Sequence, residues 1–131
     1  MSRFEGKGVI VTGAASGISA ASVSKFLEEG AYVVIADIDE AAEQQNSTFI
    51  QCDVTDHLSV EILINSVNDW LKGQGVQLDV LFNNAGIVSS KSTPDLSIEE
   101  WQRVIGVDLN SVFYACVLPS LLCKPMAVAV S

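Results

Sequence analysis

KGVIVTGAASGIS, running from Lys7 to Ser19, decides the fold. Lys7–Thr12 is a short apolar run stopped by Gly13, the pattern of a strand buried on both faces of a parallel sheet. From Ile18 to Glu29 the apolar positions, Ile18, Ala21, Phe26 and Leu27 among them, take helical spacing, and Gly30 stands where a C-capping glycine belongs. Ala31–Ala36 (AYVVIA) predicts a second strand, with Asp37 at its end. A helix N-terminus offers unpaired backbone N–H groups and the positive end of the helix dipole, which suits a phosphate. Gly13 permits the tight turn and Gly17 a close backbone approach, with Ser16 and Ile18 completing the turn.

Two glycines alone fit an ordinary strand-to-helix turn. The strand before them, the helix after them and the acid downstream favour a cradle for an adenine dinucleotide. A carboxylate at Asp37, with Ile38 beside it, would accept hydrogen bonds from the adenosine ribose hydroxyls and repel a 2′-phosphate. No Lys or Arg stands in the glycine turn or in Ile38-Asp39-Glu40. NAD is therefore expected over NADP.

Strand and helix alternate through the rest of the chain. Asp39–Gln45 predicts a short helix, Thr48–Cys52 a third strand, and Leu58–Lys72 a helix with Leu63, Val67, Trp70 and Leu71 on one stripe. Leu78–Phe82 predicts a fourth strand, running into Asn83-Asn84-Ala85-Gly86. Ser97-x-x-Glu100 has the form of a capping box, opening a helix that carries Trp101, Val104, Ile105, Leu109, Val112 and Phe113. Pro119 is expected to end or kink it. The alternation predicts an α/β fold, a Rossmann-like doubly wound parallel sheet with right-handed crossovers.

Composition narrows the function classes. The chain has 131 residues, of which 49% are hydrophobic and 7% aromatic, so the core is built from Val, Ile, Leu and Ala. Net charge is −9, and the seven Lys and Arg are scattered. Nucleic acid and anionic membrane surfaces need concentrated positive charge, so neither is an expected partner. No secretory pattern opens the chain, and no apolar run approaches the roughly 18 residues of a spanning helix. A cytoplasmic location is the expectation. Cys52, Cys116 and Cys123 are odd in number and widely spaced, which argues against a metal site or a disulfide framework. His57, the single histidine, reads as a surface residue at a helix start.

The turn Thr12–Ser19 resembles the Thr-Gly-x-x-x-Gly-x-Gly pattern of the short-chain dehydrogenase/reductase family. Three further landmarks agree in order and spacing: Cys52-Asp53-Val54, Asn83-Asn84-Ala85-Gly86, and Trp101 through Val107-Asp108-Leu109. The resemblance covers the chain to about Leu122. It implies hydride transfer between NAD and an alcohol or carbonyl. It also implies that Asp53 and Val54 meet the adenine and that Asn84, Ala85 and Gly86 flank the cofactor.

Three departures stand out. Ser19 replaces the third glycine. Asp108 occupies the position of the family's catalytic Asn. No Tyr-x-x-x-Lys occurs, because Tyr32 and Tyr114 are followed four places later by Ala36 and Leu118. With the family's catalytic Ser also without a counterpart, the chain is expected to be catalytically incompetent alone. The alternative is a non-catalytic NAD-binding remnant or an interaction partner of a full-length relative.

The expected architecture is an incomplete fold. Residues 1–122 form a truncated NAD-binding domain holding strands one to four of the family's usual seven. Residues 123–131 form a divergent tail, read either as a short fifth strand over Met126–Val130 or as an unrelated tail, with the second preferred. The helix from Ser97 to Leu118 resembles half of the family's dimer interface, so the usual dimer is expected to be impaired and non-native association stays open.

Overall fold

The computed structural model describes residues 2–15, 17–122 and 127–130. The apolar runs become strands β1 (Gly8–Thr12), β2 (Tyr32–Asp37), β3 (Ser47–Gln51), β4 (Leu78–Asn83) and β5 (Ala127–Val130). The helices are α1 (Gly17–Glu28), α2 (His57–Gly73), α3 (Ile98–Ile105) and α4 (Ser111–Leu122), with one π-helical turn, Gly106–Asn110, between the last two. All strand pairs are parallel, in the order β3-β2-β1-β4-β5. This is an incomplete Rossmann-like sheet, as the alternation of strand and helix predicts.

Side chains alternate across the sheet, and each face builds its own core. Val9, Val11, Val33 and Ile35 meet Val23 of α1, with Phe26, Phe82 and Val80 packed around them. Ile10, Val34, Ala36 and Leu81 meet Val60, Leu63, Ile64, Val67 and Leu71 of α2 and Ala115 of α4. Burial on both faces explains why these strands read as continuous apolar runs rather than as alternating ones.

Helix starts follow local chemistry. The Asp56 side chain accepts from the Leu58 N–H at 3.1 Å and caps α2, which leaves His57 exposed at the first position. The Ser97 hydroxyl accepts from the Glu100 N–H at 3.1 Å and caps α3. Glu100 does not complete the box. Its carboxylate takes the Ser89 hydroxyl at 2.7 Å and the Lys91 ammonium at 2.8 Å instead.

Three expectations about elements change. Residues 38–46 contain no helix. The expected helix, Asp39–Gln45, would make fewer than two turns and gain little from propagation. Asn46 takes a left-handed φ of 63°, and Glu43 Oε1 turns forward to accept the Phe49 N–H at 2.8 Å. Pro119 does not end its helix, since α4 runs on to Leu122. Proline removes one backbone bond there, but its fixed φ is compatible with helix. Ala127–Val130 takes the strand alternative, with Val80 opposite Ala127 and Asn83 opposite Val130. The expected tail boundary at residue 123 falls where residues 123–126 lie outside the described set.

Candidate functional site

The loops at the carboxyl ends of β1 to β4 surround a cleft of ≈ 530 Å³. Ligands in open parallel sheets bind at this edge, where crossovers to opposite faces part and leave a crevice. Gly13, Ile18, Asp37, Ile38, Asp53, Val54, Asn84, Ala85 and Gly86 all line it, although they come from four separated segments of sequence. Gly17 and Asp108 stand outside the lining, and Ser16 lies outside the described residues.

Glycine is required in the first turn for two reasons. Gly13 and Gly17 both take φ of 64°, a backbone region that side chains oppose. A Cβ on Gly13 would also lie 2.7 Å from the Ala85 Cα. The β1 and β4 turns therefore pack backbone to backbone. Thr12 fixes that contact: its Oγ1 accepts the N–H groups of Asn84 at 3.0 Å and Ala85 at 3.2 Å.

Ser19, at the third glycine position, is buried, and its hydroxyl accepts a hydrogen bond from the Asn84 side-chain amide. The extra side chain thus joins α1 to the β4 turn. Asn84 is held at two points by residues of the first turn and helix.

Asp37 is committed to the same turn. Its Oδ2 accepts the Ala15 N–H at 2.9 Å and its Oδ1 the Asp39 N–H at 3.0 Å. It caps no helix, because none follows. Each carboxylate oxygen has a second lone pair to offer a hydroxyl. Asp53 Oδ1 accepts from both the backbone N–H and the hydroxyl of Thr55, at 3.0 and 2.6 Å. Asp37, Asp39 and Asp53 make this end of the cleft acidic, and no Lys, Arg or His is among its lining residues.

Asp108 sits on the π-helical turn, where its Oδ1 accepts the Ile87 N–H at 2.8 Å. It therefore supports the cleft wall from behind. Ser19, Asp39, Cys52, Ile87 and Val107 also line the cleft without having been singled out as binding residues. Cys52, Ile87 and Val107 are immediate neighbours of recognised motifs, so adjacency was the available signal. Burial pushes the Cys52 thiol up, against the opposing effect of the Ser59 hydroxyl that donates to it at 3.6 Å. It is a packing group rather than a nucleophile. Among the described residues no group of His, Cys, Asp and Glu side chains could hold a metal ion, and no helix is long and apolar enough to cross a membrane.

Comparison with known proteins matches residues 7–126 to the family model described as short chain dehydrogenase. Meso-2,3-butanediol dehydrogenase of Serratia marcescens is 37% identical over 130 residues, covering 92% of this chain and 50% of that protein. (+)-Borneol dehydrogenase 1 of Salvia officinalis is 40% identical over 122 residues, covering 86% and 45%. Among solved structures, ligand-free Thermoplasma acidophilum aldohexose dehydrogenase superposes with a TM-score of 0.88 at 31% identity, covering 98% of this chain and 50% of that one. A short chain dehydrogenase from Mycobacterium smegmatis gives 0.81 at 34% identity, covering 90% and 52%. The chain spans about half the length of these relatives.

Proposed function

The chain belongs to the short-chain dehydrogenase family of oxidoreductases, which use NAD(P), and from that premise we propose that its cleft binds NAD in preference to NADP and represents the cofactor half of an alcohol or carbonyl oxidoreductase. One observation carries the choice of cofactor: Asp37 ends β2 at the cleft, anchored by two backbone amides, with no cationic side chain among the lining residues. A fixed carboxylate there accepts ribose hydroxyls and opposes a 2′-phosphate dianion.

In this reading Asp37 holds the adenosine ribose, with Ile38 and Val54 beside the adenine and Asp53 toward its amino group. The N-terminus of α1 and the glycine turn take the pyrophosphate. Asn84, Ala85 and Gly86 flank the remainder. Bound NAD would supply the hydride acceptor.

Proton transfer to or from a substrate oxygen needs a positioned donor. The 131 residues contain no Tyr-x-x-x-Lys to provide it. The 131-residue chain therefore binds cofactor without turnover. The same absence favours the second reading, a non-catalytic NAD-binding protein or partner of a full-length relative.

Calorimetry is expected to give binding of NAD, weaker binding of NADP, and loss of NAD affinity in Asp37→Arg. Absence of both heat and a thermal shift with NAD would overturn the cofactor reading. Oxidation of any member of an alcohol panel above a boiled control, abolished by Asp37→Arg, would overturn the claim of no turnover.

A further inference from the structure

The cleft is electrostatically uneven along its length, and its β4 end carries a charge that the cofactor reading leaves unused. Gly86, Ile87 and Val107 line that end. Behind them the Asp108 Oδ1 accepts the Ile87 N–H at 2.8 Å, and a methyl group built on Gly86 would lie 3.7 Å from the same oxygen. Asp108 is solvent-exposed, and among the described residues no ion pair involves it. A negative charge with no ion-pair partner among the described residues thus stands behind the cleft wall at its β4 end.

Under the proposed function, on which this inference rests, the adenosine occupies the β2–β3 end. The nicotinamide then reaches the β4 end. Oxidised nicotinamide is a pyridinium cation and reduced nicotinamide is neutral, while the rest of the two dinucleotides is the same. We infer that Asp108 discriminates between the redox states of the cofactor, favouring NAD+ over NADH. Asparagine at this position would accept the same Ile87 N–H without the charge, so the preference arises from the carboxylate and not from the hydrogen bond. Two unit charges separated by the width of a cleft wall in partly solvated surroundings change an affinity ratio by roughly threefold. Added salt screens the effect.

The test titrates the full 131-residue chain with NAD+ and with NADH at low ionic strength, for the wild type, Asp108→Asn and Asp108→Ser. The expected result is that the ratio of the NADH Kd to the NAD+ Kd drops about threefold in both variants and declines in the wild type as salt is raised. Ser lacks the reach of Asn, so it also loses the Ile87 bond. If the charge is the cause, Ser weakens both nucleotides together while its ratio matches that of Asn. A ratio unchanged in Asp108→Asn, with binding of both nucleotides retained, overturns the inference and leaves the cofactor reading standing. A melting-temperature shift with no change in the ratio makes Asp108 a structural residue and overturns it equally. Failure of the wild type to bind either nucleotide overturns the cofactor reading itself, and the inference with it.

Discussion

At residue scale, Ser19 shows how one side chain alters a glycine turn. Ser19 stands where the family pattern has glycine, and its buried hydroxyl is bonded to the Asn84 side-chain amide. Removing the hydroxyl takes one hydrogen bond from the half-buried Asn84 amide, at a cost of about 0.5–1.5 kcal/mol. Ser19→Ala is expected to lower the chemical-denaturation midpoint, and Asn84→Ala combined with it to cost less than the sum of the two. Strict additivity in that double-mutant cycle would show that the two side chains do not interact. The identity of Ser19 was legible as a departure from the pattern, but its partner was not. Sixty-five positions separate Ser19 from Asn84, and nothing local to either residue specifies the meeting. Asp37 was legible in place, at the end of β2 on the cleft. Its bond to the Ala15 N–H depends on the turn folding back over β2, which local patterning does not encode.

At the scale of elements, the strongest signals were those with a single physical origin. Apolar runs bounded by glycine gave β1, β2 and β4, and helical spacing gave α2 with its buried stripe. Residues 38–46 misled because a helix-compatible composition was outweighed by the length and by the bonds of Glu43 and Ser47. The capping box at Ser97 was half right, since Glu100 found an ammonium and a hydroxyl in the preceding loop that the motif could not foresee. Those two contacts, Lys91 first and Ser89 second, hold the Glu100 carboxyl below the usual carboxylate range. A lowered folded pKa contributes stability that is present above the unfolded value of about 4.3 and lost as pH falls through the lowered one. The melting temperature of the wild type should therefore fall relative to that of Glu100→Gln as pH drops from 6 to 3. Parallel curves over that range would show that the Lys91 contact contributes nothing, as many exposed pairs do.

At the scale of the whole molecule, large apolar side chains stand in solvent from α3 into the start of α4. Trp101 is 57% exposed and Phe113 63%, with Ile98 and Leu109 similarly open. Exposed apolar groups in such numbers favour association through the hydrophobic effect. Light scattering over rising concentration should show species heavier than the 14.0 kDa monomer, diminished in Trp101→Ser combined with Phe113→Ser. A monomer at every concentration would contradict this. The sheet order has a consequence in time as well as in space. β1 is the strand through which the two halves of the sheet are joined, yet Gly8 meets Asp79 only after 71 intervening steps of sequence. A ribosome adding 5–20 residues per second delivers that partner about 4–14 s after β1 itself. Throughout the interval a mostly apolar strand keeps one open hydrogen-bonding edge, a template for pairing with other chains. Slowing synthesis between residues 13 and 78 should therefore raise the share of nascent chains bound by chaperones or lost to aggregation, with no change at all in the sequence of the finished protein.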